Sequence, residues 1–154
     1  MAFNRQGGFL IAKIKQLSGR IFARLLKEYG IDDINPAQGR IMFVLWQNDG
    51  ISIKELARKT SLGKSTLTSM LDRLEHAGFL YREYSSEDRR KTLIWRTEKD
   101  RTFQQSYIDV SKHMNSILYK DFSESEIVEF EKYLERVYDN LYRSESGISE
   151  RDND

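Results

Sequence analysis

The side chains best suited to chemistry in this 154-residue sequence are hydroxyls and cations. Lys64, Ser65, Thr66, Thr68, Ser69 and Arg73 crowd one short stretch, and Arg89, Arg90 and Lys91 follow Asp88 in another. Small hydroxyls donate and accept hydrogen bonds without bulk, and guanidinium groups grip phosphates or paired acceptors, so these residues suit the reading of a patterned polyanion. Groups that make and break bonds are poorly represented. The chain has no cysteine, which removes thiolate nucleophiles, thiol redox sensing, disulfides and cysteine-based zinc sites. Its two histidines, His76 and His113, have no second histidine one helical turn away, so no metal site is expected. No phosphate-binding glycine loop, nucleophile elbow or distinct carboxylate cluster is present in the sequence. Neither an enzyme nor a bound cofactor is expected.

Positioning these groups requires a helix and a ribbon. Residues 64–77 carry Leu67, Met70, Leu71 and Leu74 at helical spacing, with Gly78 beyond the end as a C-cap. A turn of about 100° per residue puts Ser65 and Ser69 opposite the leucines, flanked by Thr66, Thr68, Asp72 and Arg73. A shorter helix precedes it, opened by the capping pattern Ser52-Ile53-Lys54-Glu55, turned inward at Leu56 and Ala57, and closed by Thr60-Ser61-Leu62-Gly63. Two short helices joined by a glycine-containing turn predict a helix-turn-helix. Aromatic and β-branched residues at 79–84 and 92–96 bracket the polar loop 85–91 and predict a β-hairpin, with Arg89, Arg90 and Lys91 at its tip. An arginine on such a ribbon fits a narrow minor groove, and Asp88 is placed to orient one of the arginines.

Longer helices flank this region. Leu10, Ile14, Leu17, Ile21 and Leu25 form an apolar stripe ending near Gly30, and Asn35, Pro36 and Gln38 read as the capped start of a second helix. Two more stripes follow the hairpin: Phe103, Tyr107, Val110, Met114, Ile117 and Leu118 after the cap Thr97, then Ile127, Phe130, Leu134, Val137 and Leu141. The fold expected is mainly α with a small β-hairpin wing: a winged helix-turn-helix (35–100) between a terminal dimerisation helix (1–34) and C-terminal dimerisation helices (101–143), with a disordered polar tail (144–154). Net charge is only +1, but residues 1–30 carry +5, residues 54–101 carry +4 and residues 121–154 carry −7. That polarity lets one end of the molecule meet a polyanion while the other repels it. No apolar run approaches the ~18 residues of a membrane span and the first residues lack a secretory pattern, so a cytoplasmic protein without a membrane partner is expected.

The run Ile51-Ser52-Ile53-Lys54-Glu55-Leu56-Ala57, the run from Ser65 to Glu75, then Gly78-Phe79-Leu80 and Asp88-Arg89-Arg90 together resemble the MarR family of bacterial transcriptional regulators. The resemblance implies a homodimer whose first and last two helices intertwine, presenting two winged helices to a pseudo-palindromic operator in double-stranded DNA. It also implies that Lys64, Ser65, Thr66, Thr68, Ser69 and Arg73 belong to the major-groove helix, that Arg90 enters the minor groove, and that Asp88 is its structural partner. Where that family follows the wing with Leu-Thr-x-x-Gly, this chain has Arg96-Thr97-Glu98-Lys99-Asp100. Thr97 keeps the cap, while Arg96 changes the local packing.

Members of the family commonly release DNA when a small, often phenolic, effector enters between the dimer helices and the winged helix. Arg20, Phe43, Trp46 and Tyr107 are the candidate walls here, with core packing the competing role for the aromatics. The expected function is a sequence-specific regulator that represses by occupying a promoter. The alternative is a winged-helix-shaped interaction module, or an antagonist of a regulator, that binds protein and not DNA.

Overall fold

The computed structural model describes residues 4–31 and 34–151. Its elements are α1 (Gly7–Glu28), α2 (Pro36–Gln47), β1 (Ile51–Ser52), α3 (Ile53–Thr60), α4 (Lys64–His76), β2 (Leu80–Tyr84), β3 (Thr92–Arg96), α5 (Glu98–Leu118) and α6 (Glu124–Arg151). The chain divides into two compact units, Met1–Met114 and Asn115–Asp154.

Capping sets the helix starts of the first unit. The Asn35 side chain accepts from the Gln38 N–H at 2.8 Å while the Gln38 side chain accepts from the Asn35 N–H at 3.0 Å, a full capping box ahead of Pro36. At α3 only half of the expected box forms. Ser52 accepts from the Glu55 N–H, but the Glu55 carboxylate turns to the Arg58 guanidinium, a charge-assisted partner stronger than a backbone amide. That hydrogen bond first, and the Coulombic pull of nearby cations after it, hold the Glu55 carboxyl below its usual range.

The expected two-stranded ribbon is a three-stranded antiparallel sheet in the order β1-β3-β2. Ile51 pairs with Ile94, and Leu80, Arg82 and Tyr84 pair with Arg96, Ile94 and Thr92. The third strand is only two residues long, too short for an alternation pattern to reveal, yet it ties the ribbon's base to the start of α3. Leu80 and Ile94 face inward onto Leu56, Leu67, Leu71 and Leu74, forming one core with Ile41, Met42 and Leu45 of α2.

A second core joins the end of α1 to α5 through Leu25, Leu26, Tyr107, Val110 and Met114, with Trp46 and Phe103 packed against both cores. The Tyr107 ring meets Phe22, Trp46 and Phe103 at centroid distances of 5.6, 5.1 and 5.7 Å, and its hydroxyl lies over Gly39, where any Cβ would collide with it. Glycine at 39 is therefore a condition of close α2–α5 packing. The changed residue after the wing is also accounted for. Arg96 Nε donates to the fully buried Asp100 carboxylate at 2.6 Å, whose other oxygen accepts from Trp46 Nε1 at 2.8 Å, while the Arg96 side chain also reaches Gln104 and its backbone N–H reaches Asp49.

In the second unit, Ser123 and Glu126 cap α6 reciprocally, and Tyr119, Phe122 and Phe130 cluster with centroids 5.8 to 6.4 Å apart. Residues 144–151, polar enough to read as a disordered tail, instead continue α6 to Arg151; residues 152–154 lie outside the described residues. No proline interrupts this stretch, and extending an existing helix is far easier than nucleating one. No helix among the described residues is long and apolar enough to cross a membrane.

Gly39→Ala should destabilise the fold by about 1–3 kcal/mol in urea denaturation, the usual cost of overpacking, because Tyr107 is held on three sides and cannot swing away. Burial pushes the Tyr107 phenol up to about 12, with Arg40 opposing, whereas an unfolded tyrosine ionises near 10. Between those values the unfolded state releases a proton that the folded state keeps, so this contribution to stability is intact below pH 10 and is lost as pH rises toward 12. Denaturation midpoints of wild type and Tyr107→Phe should therefore diverge in slope over that window, with the variant the flatter.

Candidate nucleic-acid interface

The residues singled out at the start of α4 all reach solvent. Lys64, Ser65, Thr66, Thr68, Ser69 and Arg73 are exposed, while Leu67, Leu71 and Leu74 are buried behind them. The Thr68 hydroxyl donates back to the Lys64 carbonyl at 2.9 Å, which leaves its oxygen lone pairs outward as acceptors. Asp72, read as a flank of this face, has a different role: its carboxylate binds Arg82 of β2.

The wing loop is built by its own polar groups. Ser85 Oγ accepts from the Glu87 and Asp88 N–H groups, and backbone bonds join Ser85 N–H to the Lys91 carbonyl and Lys91 N–H to the Asp88 carbonyl. Asp88 Oδ1 accepts from both the backbone N–H and the Nε of Arg90, at 3.0 and 3.2 Å. Asp88 thus orients Arg90, as its neighbouring position suggests, and the Arg90 side chain remains 92% exposed at the tip. Arg89 and Lys91 are exposed beside it. An ion pair this open contributes little stability; its effect is to narrow the directions in which the guanidinium points.

Arg82 is the residue of this region that sequence reasoning missed. Its Nη2 lies 2.6 Å from Asp72 Oδ1 and 2.7 Å from Glu75 Oε2, its Nε donates to Glu75 at 2.8 Å, and its backbone N–H donates to the other Glu75 oxygen. Burial alone would lower the pKa of this guanidinium, but the bonds to Asp72 and Glu75 outweigh burial and raise it. One side chain therefore clasps β2 to two successive turns of α4. The signal was present in the alternation of β2, which puts Arg82 on the same face as buried Leu80, opposite acids spaced i, i+3 on α4.

The arms of this interface converge. Lys64 of α4 and Arg90, Lys91 and Thr92 of the wing line one cleft of about 900 Å³, floored by Ile53, Ala57 and Leu67. The candidate effector residues do not converge in this way. Trp46 and Tyr107 pack against each other, whereas Phe43 is 53% exposed and Arg20 is also exposed. The 3.6-residue period explains the split: Phe43 shares a helix with inward Met42 and Val44 but points away from both cores.

A model described as the MarR family matches residues 34–92. Over 83 residues the chain is 34% identical to the HTH-type transcriptional regulator TtmR of Methylorubrum extorquens, covering 54% of this chain and 41% of that protein. The chain matches less than half the length of TtmR and of two Bacillus subtilis relatives. Its fold resembles that of a mutant MarR from E. coli complexed with operator DNA, with a TM-score of 0.75 at 27% identity, over 84% of this chain and 91% of that one. It also shares its fold with BpsR of Bordetella bronchiseptica, whose DNA binding is regulated by 6-hydroxynicotinic acid, with a TM-score of 0.80 at 19% identity over 90% and 97% of the two chains.

Arg82→Ala should cost about 1.5–3 kcal/mol of stability in urea denaturation, the range for hydrogen bonds to charged groups. Arg82→Lys should recover less than half of that, because an ammonium cannot bridge two carboxylates as a planar guanidinium does.

Proposed function

We propose that this chain is a MarR-family transcriptional regulator that binds double-stranded DNA as a homodimer and represses by occupying its operator. The observation that carries the reading is that the hydroxyl-lined end of α4 and the cationic wing tip open onto the same cleft, through Lys64 and Arg90. Adjacent major and minor grooves of B-form DNA are separated by a single sugar–phosphate strand, so two surfaces flanking one cleft are matched to two neighbouring grooves. In this reading Ser65, Thr66, Thr68 and Ser69 meet base edges, Lys64 and Arg73 meet phosphates or guanine, and Arg90, oriented by Asp88 and assisted by Arg89 and Lys91, enters the minor groove.

The homodimer is supported by exposed apolar surface within each unit. On α1, Phe9, Leu10, Ile11, Ile14 and Leu17 are 44 to 63% exposed, and on α6, Val128, Tyr133, Leu134, Val137, Tyr138 and Leu141 are 39 to 66% exposed. Contiguous apolar surface on that scale marks an interaction site, and a two-fold pair of such surfaces is the commonest way for a soluble chain to cover them. A two-fold dimer reads an inverted repeat. A small aromatic effector belongs to the same scheme by analogy with the regulation of BpsR. Trp46 and Tyr107, whose ring centroids are 5.1 Å apart, would have to part to admit one, with Phe43 and Arg20 at the margin.

Selection of bound duplexes from random sequence tests the reading: an inverted repeat is expected, and recovery of unrelated sequences, or binding unaffected between about 50 and 200 mM salt, would contradict it. On the recovered duplex, Arg90→Ala should weaken binding by ~1–3 kcal/mol per subunit. Ser69→Ala should alter the base preference, whereas Lys64→Ala should weaken cognate and unrelated duplexes alike.

A further inference from the structure

The cleft between α4 and the wing has a third wall, formed by α3. Lys54, in the first turn of α3, lines it together with Ser52, Ile53, Glu55 and Ala57. Four cations from three elements therefore face one another: Lys54 from α3, Lys64 from α4, and Arg90 and Lys91 from the wing. The acid in the lining, Glu55, has its carboxylate already bound by Arg58. Arg90 is paired with Asp88 and Lys54 lies within Coulombic range of Glu55, but Lys54, Lys64 and Lys91 make no ion pair among the described residues, so the lining of the cleft keeps an excess of positive charge.

We propose that this cleft is the seat of one sugar–phosphate strand of the bound duplex, and that Lys54 is a phosphate-binding residue acting from outside both the recognition helix and the wing. The inference rests on the reading above and deepens it. When α4 occupies a major groove and the wing tip the next minor groove, the strand dividing those grooves must pass between them, which is where the cleft lies. A strand in that position turns its phosphates toward the protein, within reach of the cations that line the cleft. Lys54 then holds the strand from the side opposite Arg90 and Lys91, fixing how deeply α4 enters the groove while reading no base itself.

The test is a salt titration of duplex affinity for wild type, Lys54→Gln and Arg90→Ala, using the duplex recovered by selection and an unrelated duplex of equal length. Neutralising one phosphate contact lowers the slope of log affinity against log salt by about 0.9. Lys54→Gln should therefore weaken both duplexes by the same factor, lose about 0.9 of slope per subunit, and recover an unchanged sequence preference on repeated selection. From 50 to 200 mM salt, the wild-type advantage over the variant should shrink roughly threefold for each contact removed. An unchanged affinity and slope for Lys54→Gln, with Arg90→Ala still impaired, would overturn the seat while leaving the DNA-binding reading in place. A shifted sequence preference would also overturn it, since it would make Lys54 a reader of bases. Failure of wild type to bind any duplex at low salt would remove the reading itself, and the seat with it.

Discussion

The clasp of Arg82 on Asp72 and Glu75 is the constraint on which the placement of the wing against α4 depends. A β-hairpin projecting from a small domain has little stability of its own, and its tip amplifies any rocking at its base. Core contacts at Leu80 and Ile94 fix the base, but these are non-directional and would tolerate a range of tilts. A guanidinium bonded to two carboxylates one helical turn apart is directional, and it links the strand leading to the wing tip with the helix whose exposed edge carries the hydroxyls. Spacing between α4 and the wing thus becomes a property of a few short polar contacts.

A second polar lock holds the other strand. Where the family pattern has an apolar residue and a glycine after the wing, this chain has Arg96 and Asp100, with Asp100 fully buried. Burying a carboxylate is unfavourable unless its oxygens are satisfied. Here one oxygen takes the Arg96 guanidinium and the other the Trp46 indole N–H, and no buried side-chain polar atom among the described residues lacks a partner. The lock joins β3 to α5 and α2, close to where Tyr107 lies over Gly39. β2 is therefore referenced to α4, and β3 to the helices that carry the second core.

Much of this was legible in the sequence, for identifiable reasons. Strong local signals survived intact: the Asn35–Gln38 capping box, the leucine face of α4, the stop at Gly78, and the pairing of Asp88 with the arginine two residues on. These depend on neighbours within a few residues, which a sequence displays directly. What was hidden depends on partners far along the chain. Strand β1 is visible only through its pairing with Ile94, Arg82 finds its acids on another element, and Asp100 meets Trp46 across 54 positions. Composition misled at residues 144–151, because polarity alone does not end a helix that is already running. The effector residues were grouped by type, but Phe43 is exposed while Trp46 packs against Phe103 and Tyr107, a difference of surroundings that residue type does not display.

The central claim is that the clasp positions the wing for DNA, and a double-mutant cycle in duplex affinity tests it most directly. Arg82 binds α4 and Arg90 sits at the tip, so independent roles would make their effects additive within about 0.3–0.5 kcal/mol. If Arg82 holds the wing in place, Arg90→Ala should cost clearly less in an Arg82→Ala background than in wild type, because the misplaced arginine has already lost its groove. Full additivity would contradict the account.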